Sequence, residues 1–314
     1  MSKQTVLVTG GAGFIGSNIV SELLTRGYQV KVLDNLSTGR KINLEPIIDQ
    51  IKFIEGDIND TAILQKEFAG VDFILHQAAL PSVPRSIESP LSSHKNNATG
   101  ILNVLEAAKA AKVKRLVFAS SSSVYGDAKA KYKSEDLPTD PLSPYAATKL
   151  MGEHYCKIFY TIYGLETVVL RYFNVFGPNQ DPQSDYAAVI PLFIKAILKD
   201  QAPTIFGDGQ QSRDFTFVKN NIEANILAMT SDKVGHGEIF NIACGQSYTL
   251  NELVDTINKV LGKNIKANFA DPRPGDIKHS LADISQAKKL LGYKVDTNFA
   301  DGIKQTIDWI KNHA

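Results

Sequence analysis

The sequence predicts an α/β protein with a doubly wound parallel sheet, followed by a smaller and interrupted α/β region. Its 314 residues are 43% hydrophobic, which is enough to fill the core of one large domain or two modest ones. Short apolar runs without polar alternation are typical of strands that are buried on both faces of a sheet. Amphipathic stretches separate these runs, and repeated strand–helix–strand units with right-handed crossovers produce a doubly wound sheet.

The first half of the chain alternates regularly between strands and helices. The predicted strands span residues 5–9, 29–34, 51–57, 71–78, 114–121 and 165–173. The predicted helices span residues 14–27, 61–70, 99–113 and 144–164. Gly27 is a typical helix end, and Pro144 suits the first turn of the long fourth helix.

The pattern becomes less regular after residue 176. The later predicted elements are helices over 187–200, 249–262 and 299–313, a strand and turn over 203–210, and a strand over 237–243 that returns to the main sheet. We therefore expect two domains. The first consists of residues 1–176 with about 215–245, and the second of residues 177–214 with 246–314.

Charge, cysteine and histidine content narrow the possible functions. The net charge of +1 gives no reason to expect nucleic acid or an anionic membrane as a partner, and the basic run at 129–133 suits a solvated loop. Cys156 and Cys244 stand far apart, which argues against a disulfide framework or a zinc site and fits a reducing compartment. The histidines have no metal-binding spacing, so no metal is expected. No signal peptide is recognisable and no apolar stretch approaches the roughly 20 residues of a membrane span, so a cytoplasmic protein is expected.

A glycine-rich loop follows the first predicted strand. Gly10, Gly13 and Gly16 lie between that strand and a helix, where a bare backbone can approach a pyrophosphate at the helix N-terminus. The spacing is GxxGxxG, whereas the common dinucleotide motif is GxGxxG. Asp34 ends the next strand, where a carboxylate can accept hydrogen bonds from the adenosine ribose and would repel a 2′-phosphate. The loop therefore predicts bound NAD rather than NADP; alternatively, these are ordinary turn residues.

A serine run and a Tyr–Lys pair provide candidate catalytic groups. The segment ASSSSVYG follows a predicted strand, at the sheet edge where open α/β folds bind ligands. Tyr145 and Lys149 are four residues apart, so they share one face of a helix. An ammonium near a phenol lowers the phenol pKa from about 10, so Tyr145 is a plausible acid or base at a sugar hydroxyl, with a serine completing the proton path. A solvated or structural pair would have the same spacing.

These motifs and several others resemble the extended short-chain dehydrogenase/reductase family, in particular its NAD-dependent nucleotide-sugar 4-epimerases. Bacterial UDP-N-acetylglucosamine 4-epimerases and UDP-glucose 4-epimerases are the members that the chain resembles most. The resemblance covers essentially the whole chain. The stretches that carry it are VTGGAGFIGS, HQAALPSVPRS, SSSSVYGD, PLSPYAATKLMGE, LRYFNVFGPNQDP, YAAVIP, FGDGQQSRDF and RPGDIKHSLADIS.

The resemblance implies a Rossmann fold and a mechanism of transient oxidation. Tyr145 would take the proton from the sugar O4 while hydride leaves C4 for the nicotinamide. The 4-keto sugar would then turn over in the pocket and regain its hydride on the other face, which regenerates NAD. Lys149 would bind the nicotinamide ribose. Ser121, four residues before Tyr125, matches the catalytic hydroxyl of the family, and Ser122 and Ser123 are lesser candidates.

The same resemblance implies the cofactor and substrate contacts. The expected NAD contacts are Gly10, Gly13, Phe14, Ile15, Gly16, Asp34, Asn35, Ser37, Gly39, Asp57, Ile58, Gln77, Ala78, Ala79, Asn97, Tyr145, Lys149 and Tyr172. The expected substrate contacts are Pro81, Ser82, Val83, Arg85, Ser121, Ser123, Tyr145, Asn174, Ala188, Val189, Ile205, Arg213, Arg273, Asp276 and Ser280. Asn174, Arg213 and Arg273 would hold the diphosphate, for which guanidinium groups offer bidentate donors. Surface salt bridges are the alternative for each arginine.

Two positions bear on the substrate. Related dehydratases carry an Asp–Glu pair where this chain has Ser122 and Ser123, so dehydration is disfavoured. In related epimerases a small residue at the position of Ser280 admits a 2-acetamido group, so UDP-N-acetylhexosamines and also UDP-glucose are expected to fit. Ser280 could instead only cap the next segment. The alternatives are another nucleotide sugar, such as UDP-glucose alone or UDP-glucuronate, a dehydrating or decarboxylating variant, and a non-catalytic NAD sensor.

The resemblance also implies a homodimer. Members usually pair through a four-helix bundle, whose matching helices here are 99–112 and 145–163. Leu102, Leu105, Tyr155 and Ile158 are available for such an interface. An ordinary core assignment explains these residues equally well.

Overall fold

The structure, a computed structural model, describes residues 3–181, 188–272 and 278–313. Within these residues, a central sheet of seven parallel strands has the order β11-β6-β5-β4-β1-β2-β3. Its strands are β1 Thr5–Thr9, β2 Gln29–Asp34, β3 Lys52–Glu55, β4 Phe73–His76, β5 Arg115–Ser121, β6 Glu166–Tyr172 and β11 His236–Ile242. The predicted fold class is confirmed, and the late strand does return to the main sheet.

Helices cover both faces of this sheet. The helices of the described residues are α1 Phe14–Thr25, α2 Thr61–Glu67, α3 Val83–Glu88, α4 Pro90–Ser93, α5 Gly100–Ala110, α6 Pro144–Tyr163, α7 Val189–Leu198, α8 Val218–Thr230, α9 Leu250–Leu261 and α10 Phe299–His313. A π-helical turn, His94–Thr99, leads into α5, and a 3₁₀ turn, Ser122–Tyr125, follows β5. No helix in the described part of the chain has the length and apolar character that crossing a membrane requires.

The alternation of side chains along each strand explains the two covered faces. Val6 and Val8 of β1 belong to one buried cluster, which also contains Ile19 of α1 and Ile226 of α8. Leu7, between the two valines, belongs to a second cluster, which contains side chains of α5 and α6. Successive strand residues point to opposite faces, so a continuous apolar run requires a helical layer on each side.

Helix α8 was absent from the predicted elements. Its sequence, VKNNIEANILAMT, contains three asparagines, all of which are buried. Asparagine has low helix propensity and conceals the apolar periodicity from which a helix is recognised. The side-chain amides of Asn220 and Asn225 bond residues far along the chain, Thr297 and Gln77, and the sequence pattern does not reveal these contacts.

The second half of the chain adds small sheets beside the carboxyl edge of the central one. The short strands are β7 Val175–Phe176, β8 Thr204–Phe206, β9 Ser212–Arg213, β10 Thr216–Phe217, β12 Tyr248–Thr249, β13 Asn268–Ala270 and β14 His279–Ser280. Strand β9 lies between β12 and β14, whereas β10 pairs with β7 and β13 pairs with β8. The predicted division into two domains stays a prediction.

Candidate active site

The glycine loop lies where the strand order changes direction, between β1 and β4. Gly10 has φ +69°, and a Cβ atom there would lie 2.6 Å from the backbone N of Ala78, which follows β4. A Cβ on Gly16 would lie 2.1 Å from the carbonyl oxygen of Gly10. No side chain caps the N-terminus of α1, whose first turn carries no acidic residue. The loop therefore leaves free N–H groups at a helix N-terminus, at the switch point where such folds bind dinucleotides.

Asp34 joins the glycine loop to the end of β2. One carboxylate oxygen accepts a hydrogen bond from Ala12 N at 2.9 Å and the other from Leu36 N at 2.8 Å. Burial raises the pKa of this carboxyl group, against the effect of the two backbone donors. A Cβ atom on Gly39 would lie 2.8 Å from each of these oxygens. Asp34 thus shapes the turn itself, and only a residue without a Cβ atom fits beside its buried carboxylate at Gly39.

Several of the predicted NAD contacts come together at the ends of β2 and β3. Asn35 donates to Asp57 at 3.0 Å and accepts from the backbone N of Ser37 at the same distance. Asp57 also accepts from the backbone N of Asn59 at 2.7 Å. Ile58 is buried against the first residue of α5, where a Cβ on Gly100 would lie 2.5 Å from its side chain. Phe14 and Ile15 are partly buried at the start of α1.

Gln77 and Tyr172 form a buried network with an asparagine from α8. The Tyr172 hydroxyl donates to Gln77 at 3.2 Å and accepts from Asn225 Nδ2 at 2.7 Å. Gln77 Nε2 in turn donates to Asn225 at 3.1 Å. Burial raises the pKa of Tyr172 to about 12, so its hydroxyl keeps its proton. Asn225 was missed from the sequence because α8 itself was not recognised.

The Asn97 side chain links the loop after β4 to α6 by hydrogen bonds. Its carbonyl oxygen accepts from Leu80 N at 2.8 Å, and its amide donates to Thr148 Oγ1 at 3.2 Å. The same loop contains Ala78 and Ala79, which lie beside the glycine loop, and Ala78 N donates to Thr9 Oγ1 at 3.4 Å. The buried Asn97 side chain therefore positions the loop that carries two of the predicted NAD contacts.

Tyr145, Lys149 and Ser121 meet at the carboxyl end of β5. Ser143 caps α6 by accepting from Ala146 N at 3.2 Å, and this cap fixes the helix start just before Tyr145. The Tyr145 hydroxyl is hydrogen-bonded to Ser121. Lys149 is buried behind it, with Nζ donating to the carbonyl oxygen of Ala119 at 2.7 Å and lying 6.0 Å from the centre of the Tyr145 ring.

The pKa of Tyr145 differs from the sequence-based expectation. Burial raises the pKa of this phenol above its ordinary value, and the hydrogen bond with Ser121 opposes that rise. The expected lowering by Lys149 is absent because the ammonium points to the Ala119 carbonyl and not to the phenol oxygen. Burial also lowers the pKa of Lys149, to about 8. The prediction that Lys149 lowers the pKa of Tyr145 was therefore wrong.

The three serines 121–123 lie at a tight turn, and their side chains have different surroundings. Ser121 Oγ accepts from Ser123 N at 3.1 Å, in addition to its bond with Tyr145. Ser123 Oγ is buried and has no hydrogen-bond partner within the described ranges. Ser122 is half-buried. Among the three, Ser121 is the serine that reaches Tyr145.

The predicted diphosphate contacts lie on the segments that follow β6 and precede β10. Asn174 has φ +37°, and its amide donates to the Asp214 carbonyl at 3.3 Å. Arg213 of β9 stands opposite Ser280 of β14 in the parallel pairing of these strands. Ser280 is buried. Arg273 and Asp276 lie outside the described residues.

The remaining predicted substrate residues flank this region. Ser82 caps α3 by accepting from Arg85 N at 3.2 Å, next to the exposed Pro81 and Val83. Ala188 is exposed and Val189 begins α7. Ile205 of β8 is 1% exposed, and its side chain packs in the hydrophobic core. The substrate contacts of these seven residues stay predictions.

Buried polar groups behind the Tyr–Lys pair were not foreseen from the sequence. His76 at the end of β4 bonds Thr9 Oγ1 at 2.7 Å, and burial lowers its pKa to about 3, so it stays neutral. Glu153 and Arg171 form an ion pair at 2.6 Å. Their spacing in the sequence gives no sign of this contact, because one lies on α6 and the other on β6.

Comparison with known proteins agrees with this geometry. The model of the NAD dependent epimerase/dehydratase family matches residues 6–243. The chain belongs to this family. A putative UDP-glucose 4-epimerase of Methanocaldococcus jannaschii is 41% identical over 310 residues, which are 98% of this chain and 99% of the relative.

Two solved structures share both fold and sequence with the chain. UDP-N-acetylglucosamine 4-epimerase from Methanobrevibacter ruminantium M1, in complex with UDP-N-acetylmuramic acid, is 44% identical, with 100% of both chains covered and a TM-score of 0.95. UDP-glucose 4-epimerase from Thermotoga maritima, with UDP-glucose, is 35% identical, with 99% of both chains covered and a TM-score of 0.94. The predicted family, enzyme class and cofactor are thereby confirmed: the chain is an NAD-dependent enzyme among the UDP-sugar 4-epimerases.

The residues present in the structure fit NAD. At Gly10 and Gly16 the backbone of the loop packs too closely for any Cβ atom, and the uncapped N-terminus of α1 offers donors to a pyrophosphate. Asp34 offers a carboxylate to ribose hydroxyls. Lys149 and Tyr145 lie at the carboxyl end of β5, at the same edge of the sheet as these groups.

Proposed function

We propose that the enzyme reversibly inverts the configuration at C4 of a UDP-hexose. We infer that it acts on UDP-N-acetylglucosamine and UDP-N-acetylgalactosamine, and also on UDP-glucose and UDP-galactose. The observation that carries the proposal is the Tyr145 hydroxyl, hydrogen-bonded to Ser121 and backed by the buried Lys149, at the edge that holds the glycine loop. This arrangement places the hydroxyl proton of Tyr145 beside a dinucleotide site.

Tyr145 is the proton carrier in this proposal. Its hydroxyl takes the proton of the sugar O4 as C4 becomes a ketone, and returns it when the alcohol re-forms. Ser121 hydrogen-bonds the same hydroxyl and keeps it aimed into the groove. Bound NAD supplies the hydride acceptor and the positive charge of its oxidised ring. Lys149 would hold the nicotinamide ribose, and Asp34 the adenosine ribose.

Arg213 and Asn174 are the proposed diphosphate contacts in the described part of the chain. The sugar must turn over between the two hydride transfers, so the nucleotide has to stay fixed while the sugar moves. A guanidinium suits this task because it offers bidentate donors to phosphate oxygens. Asn174 stands at a left-handed turn directly after β6, which brings its amide beside the segment that leads to β10.

Three small side chains support the proposed sugar class. Ser280 of β14 stands opposite Arg213 of β9 in the pairing of these strands. Its short side chain leaves room for a 2-acetamido group. Ser122 and Ser123 bring no carboxyl group to the sugar, so the chain lacks an acid there to expel a 6-hydroxyl. The relative that is 44% identical is a UDP-N-acetylglucosamine 4-epimerase, which supports the acceptance of N-acetylated sugars.

The direct test is epimerisation without added cofactor. Purified protein is incubated separately with UDP-N-acetylglucosamine and UDP-glucose, and the C4 epimers are followed by chromatography or NMR. We expect both epimers to form, because NAD stays bound and is regenerated in each turnover. Formation of neither epimer would contradict the proposal.

Replacement of Ser280 tests the sugar class. Ser280→Tyr should remove activity on UDP-N-acetylglucosamine and preserve activity on UDP-glucose, because a ring at this buried position occupies the space of the acetamido group. Ser285→Tyr, at an exposed position of the same segment, is the matched control and should preserve both activities. Equal activity of Ser280→Tyr on the two sugars would show that another residue limits the pocket.

A further inference from the structure

A buried charged cluster lies directly behind the Tyr–Lys pair. Glu153 of α6 accepts hydrogen bonds from Arg171 of β6, Nε at 2.9 Å and Nη2 at 2.6 Å. The same carboxylate accepts from the hydroxyl of Ser120, at the end of β5, at 2.5 Å. All three residues are at most 3% exposed. The cluster joins one helix to two neighbouring strands.

Fold stability alone is a weak reason for such a cluster. Taking two charges out of water costs several kcal/mol per ion, and apolar side chains of similar volume often serve stability equally well. A buried ion pair does, however, fix relative positions, because its donors and acceptors fit together in one arrangement. The cluster therefore suggests a requirement for one particular geometry.

Each member of the cluster is adjacent to a residue of the site. Glu153 lies one helical turn after Lys149 and two turns after Tyr145 on α6. Ser120 immediately precedes Ser121, and Arg171, which stands opposite Ser120 in the β5–β6 pairing, precedes Tyr172. Since Lys149 also bonds the Ala119 carbonyl, two consecutive turns of α6 are tied to two consecutive residues of β5.

We propose that Glu153 is a positioning residue of the active site, which holds the serine turn through Ser120 and keeps Lys149 charged. The proposal rests on the proposed function in that Lys149 and Ser121 serve the reaction. Through Ser120, the carboxylate sets where Ser121, and hence the Tyr145 hydroxyl, stands. Glu153 itself touches neither cofactor nor substrate in this scheme.

The charge argument depends on the groups that face Lys149. From α6 these are Glu153, Cys156 and Tyr145, and from β4 it is His76. Arg171 of β6 faces the carboxylate of Glu153, with which it makes a bidentate contact. Burial lowers the pKa of Lys149 to about 8, and the carboxylate of Glu153 opposes that fall. Removal of the carboxylate should move this pKa further down, so that Lys149 loses its proton at a lower pH.

Three variants test the proposal. Ser120→Ala removes the hydroxyl that connects Glu153 to the serine turn. The double variant Glu153→Gln with Arg171→Met removes the carboxylate without leaving a guanidinium unpaired. The matched control is Thr167→Val. The Thr167 hydroxyl also bonds α6, at the Cys156 carbonyl oxygen at 2.8 Å, but it lies at the start of β6, whereas Arg171 lies at the end of that strand.

Two measurements are made on the holoenzyme. The first is kcat against pH, and the second is the pH at which half of the bound NAD is lost during gel filtration. Ser120→Ala should lower kcat about tenfold or more without moving the alkaline limb of the profile. The double variant should move both the alkaline limb and the NAD-loss midpoint down by about one pH unit or more. Thr167→Val should leave both unchanged.

The outcomes separate this proposal from the proposed function. If kcat of Ser120→Ala and the NAD-loss midpoint of the double variant both match those of Thr167→Val, Glu153 is only a structural residue and the inference is overturned. If the unmodified enzyme converts no UDP-hexose, the proposed function fails, yet the NAD-loss midpoint still decides the role of Glu153. If the double variant does not fold, kcat of Ser120→Ala decides whether Glu153 positions the active site.

Discussion

At the scale of single residues, the proposed chemistry depends on Tyr145. Its pKa is raised by burial, and Lys149 points its ammonium to a backbone carbonyl. Burial therefore favours the protonated phenol. When NAD is bound, the positive charge of its oxidised ring would favour the ionised phenol, so the cofactor would assist removal of the proton.

Replacement of Tyr145 by phenylalanine is the test at this scale. Tyr145→Phe should lower turnover of UDP-glucose by about 10²–10⁴-fold, because the proton of O4 then has no acceptor. The bound NAD should remain, since the hydroxyl makes no contribution to the glycine loop. Turnover is measured by epimer formation and cofactor content by absorbance after denaturation. Undiminished epimerisation would remove Tyr145 from the mechanism.

At the scale of elements, the loop between β1 and α1 holds the site together. It touches β4 through the close approach of Gly10 to Ala78, and it touches β2 through the bond from Ala12 to Asp34. The same loop leaves the first N–H groups of α1 without a side-chain cap. One short segment thus aligns the ends of three strands and offers donors to an anion.

Gly16→Ala tests this element. The added Cβ would lie 2.1 Å from the Gly10 carbonyl oxygen, so the loop must move, at a cost of about 1–3 kcal/mol in the free energy of unfolding. We expect the purified variant to carry much less NAD, because the displaced loop no longer fits the pyrophosphate. Thermal unfolding and absorbance of the released cofactor measure the two effects.

Gly27→Ala is the control at the other end of α1. Gly27 has φ +83° and open space around it, so only backbone strain of about 1 kcal/mol is expected. This variant should retain its NAD. Equal loss of NAD from the two variants would mean that general destabilisation, and not loop geometry, explains the result.

At the scale of the whole molecule, one apolar surface of α6 is uncovered. Ile158 is 43% exposed and Ile162, one turn later, is 66% exposed. Leu105, which the sequence offered as a surface residue of the preceding helix, is fully buried and belongs to the core. Leu102 and Tyr155 are partly buried at the edge of that core. We propose that a second copy of the chain covers this α6 surface, as the resemblance implies.

A double substitution tests the proposed dimer. Ile158→Lys with Ile162→Lys should convert a dimer into a monomer, because burying two ammonium groups at an interface is costly. Light scattering during gel filtration measures the mass. Phe269→Lys, at another exposed apolar residue that is 60% accessible, is the control and should leave the mass unchanged. A monomeric unmodified protein would contradict the proposal.

Much of this architecture could be predicted from the chain because it depends on local pattern. Apolar runs located each of the central strands to within a few residues, and glycine spacing located the dinucleotide loop. The Tyr–Lys pair was visible because helical spacing alone places both side chains on one face. Helix α8 was not visible, since two of its asparagines, Asn220 and Asn225, are paired by distant groups such as Thr297 and Gln77.

By itself, the sequence determined the fold class, the cofactor loop and the face of α6 that carries Tyr145 and Lys149, because all three follow from the spacing of neighbouring residues. Only the tertiary structure decided the directions of the pKa shifts of Tyr145 and Lys149, the partners of Asp34 and the cluster of Ser120, Glu153 and Arg171. These properties depend on burial and on contacts between residues far apart in the chain. Packing brings such groups together, and no local pattern encodes that outcome.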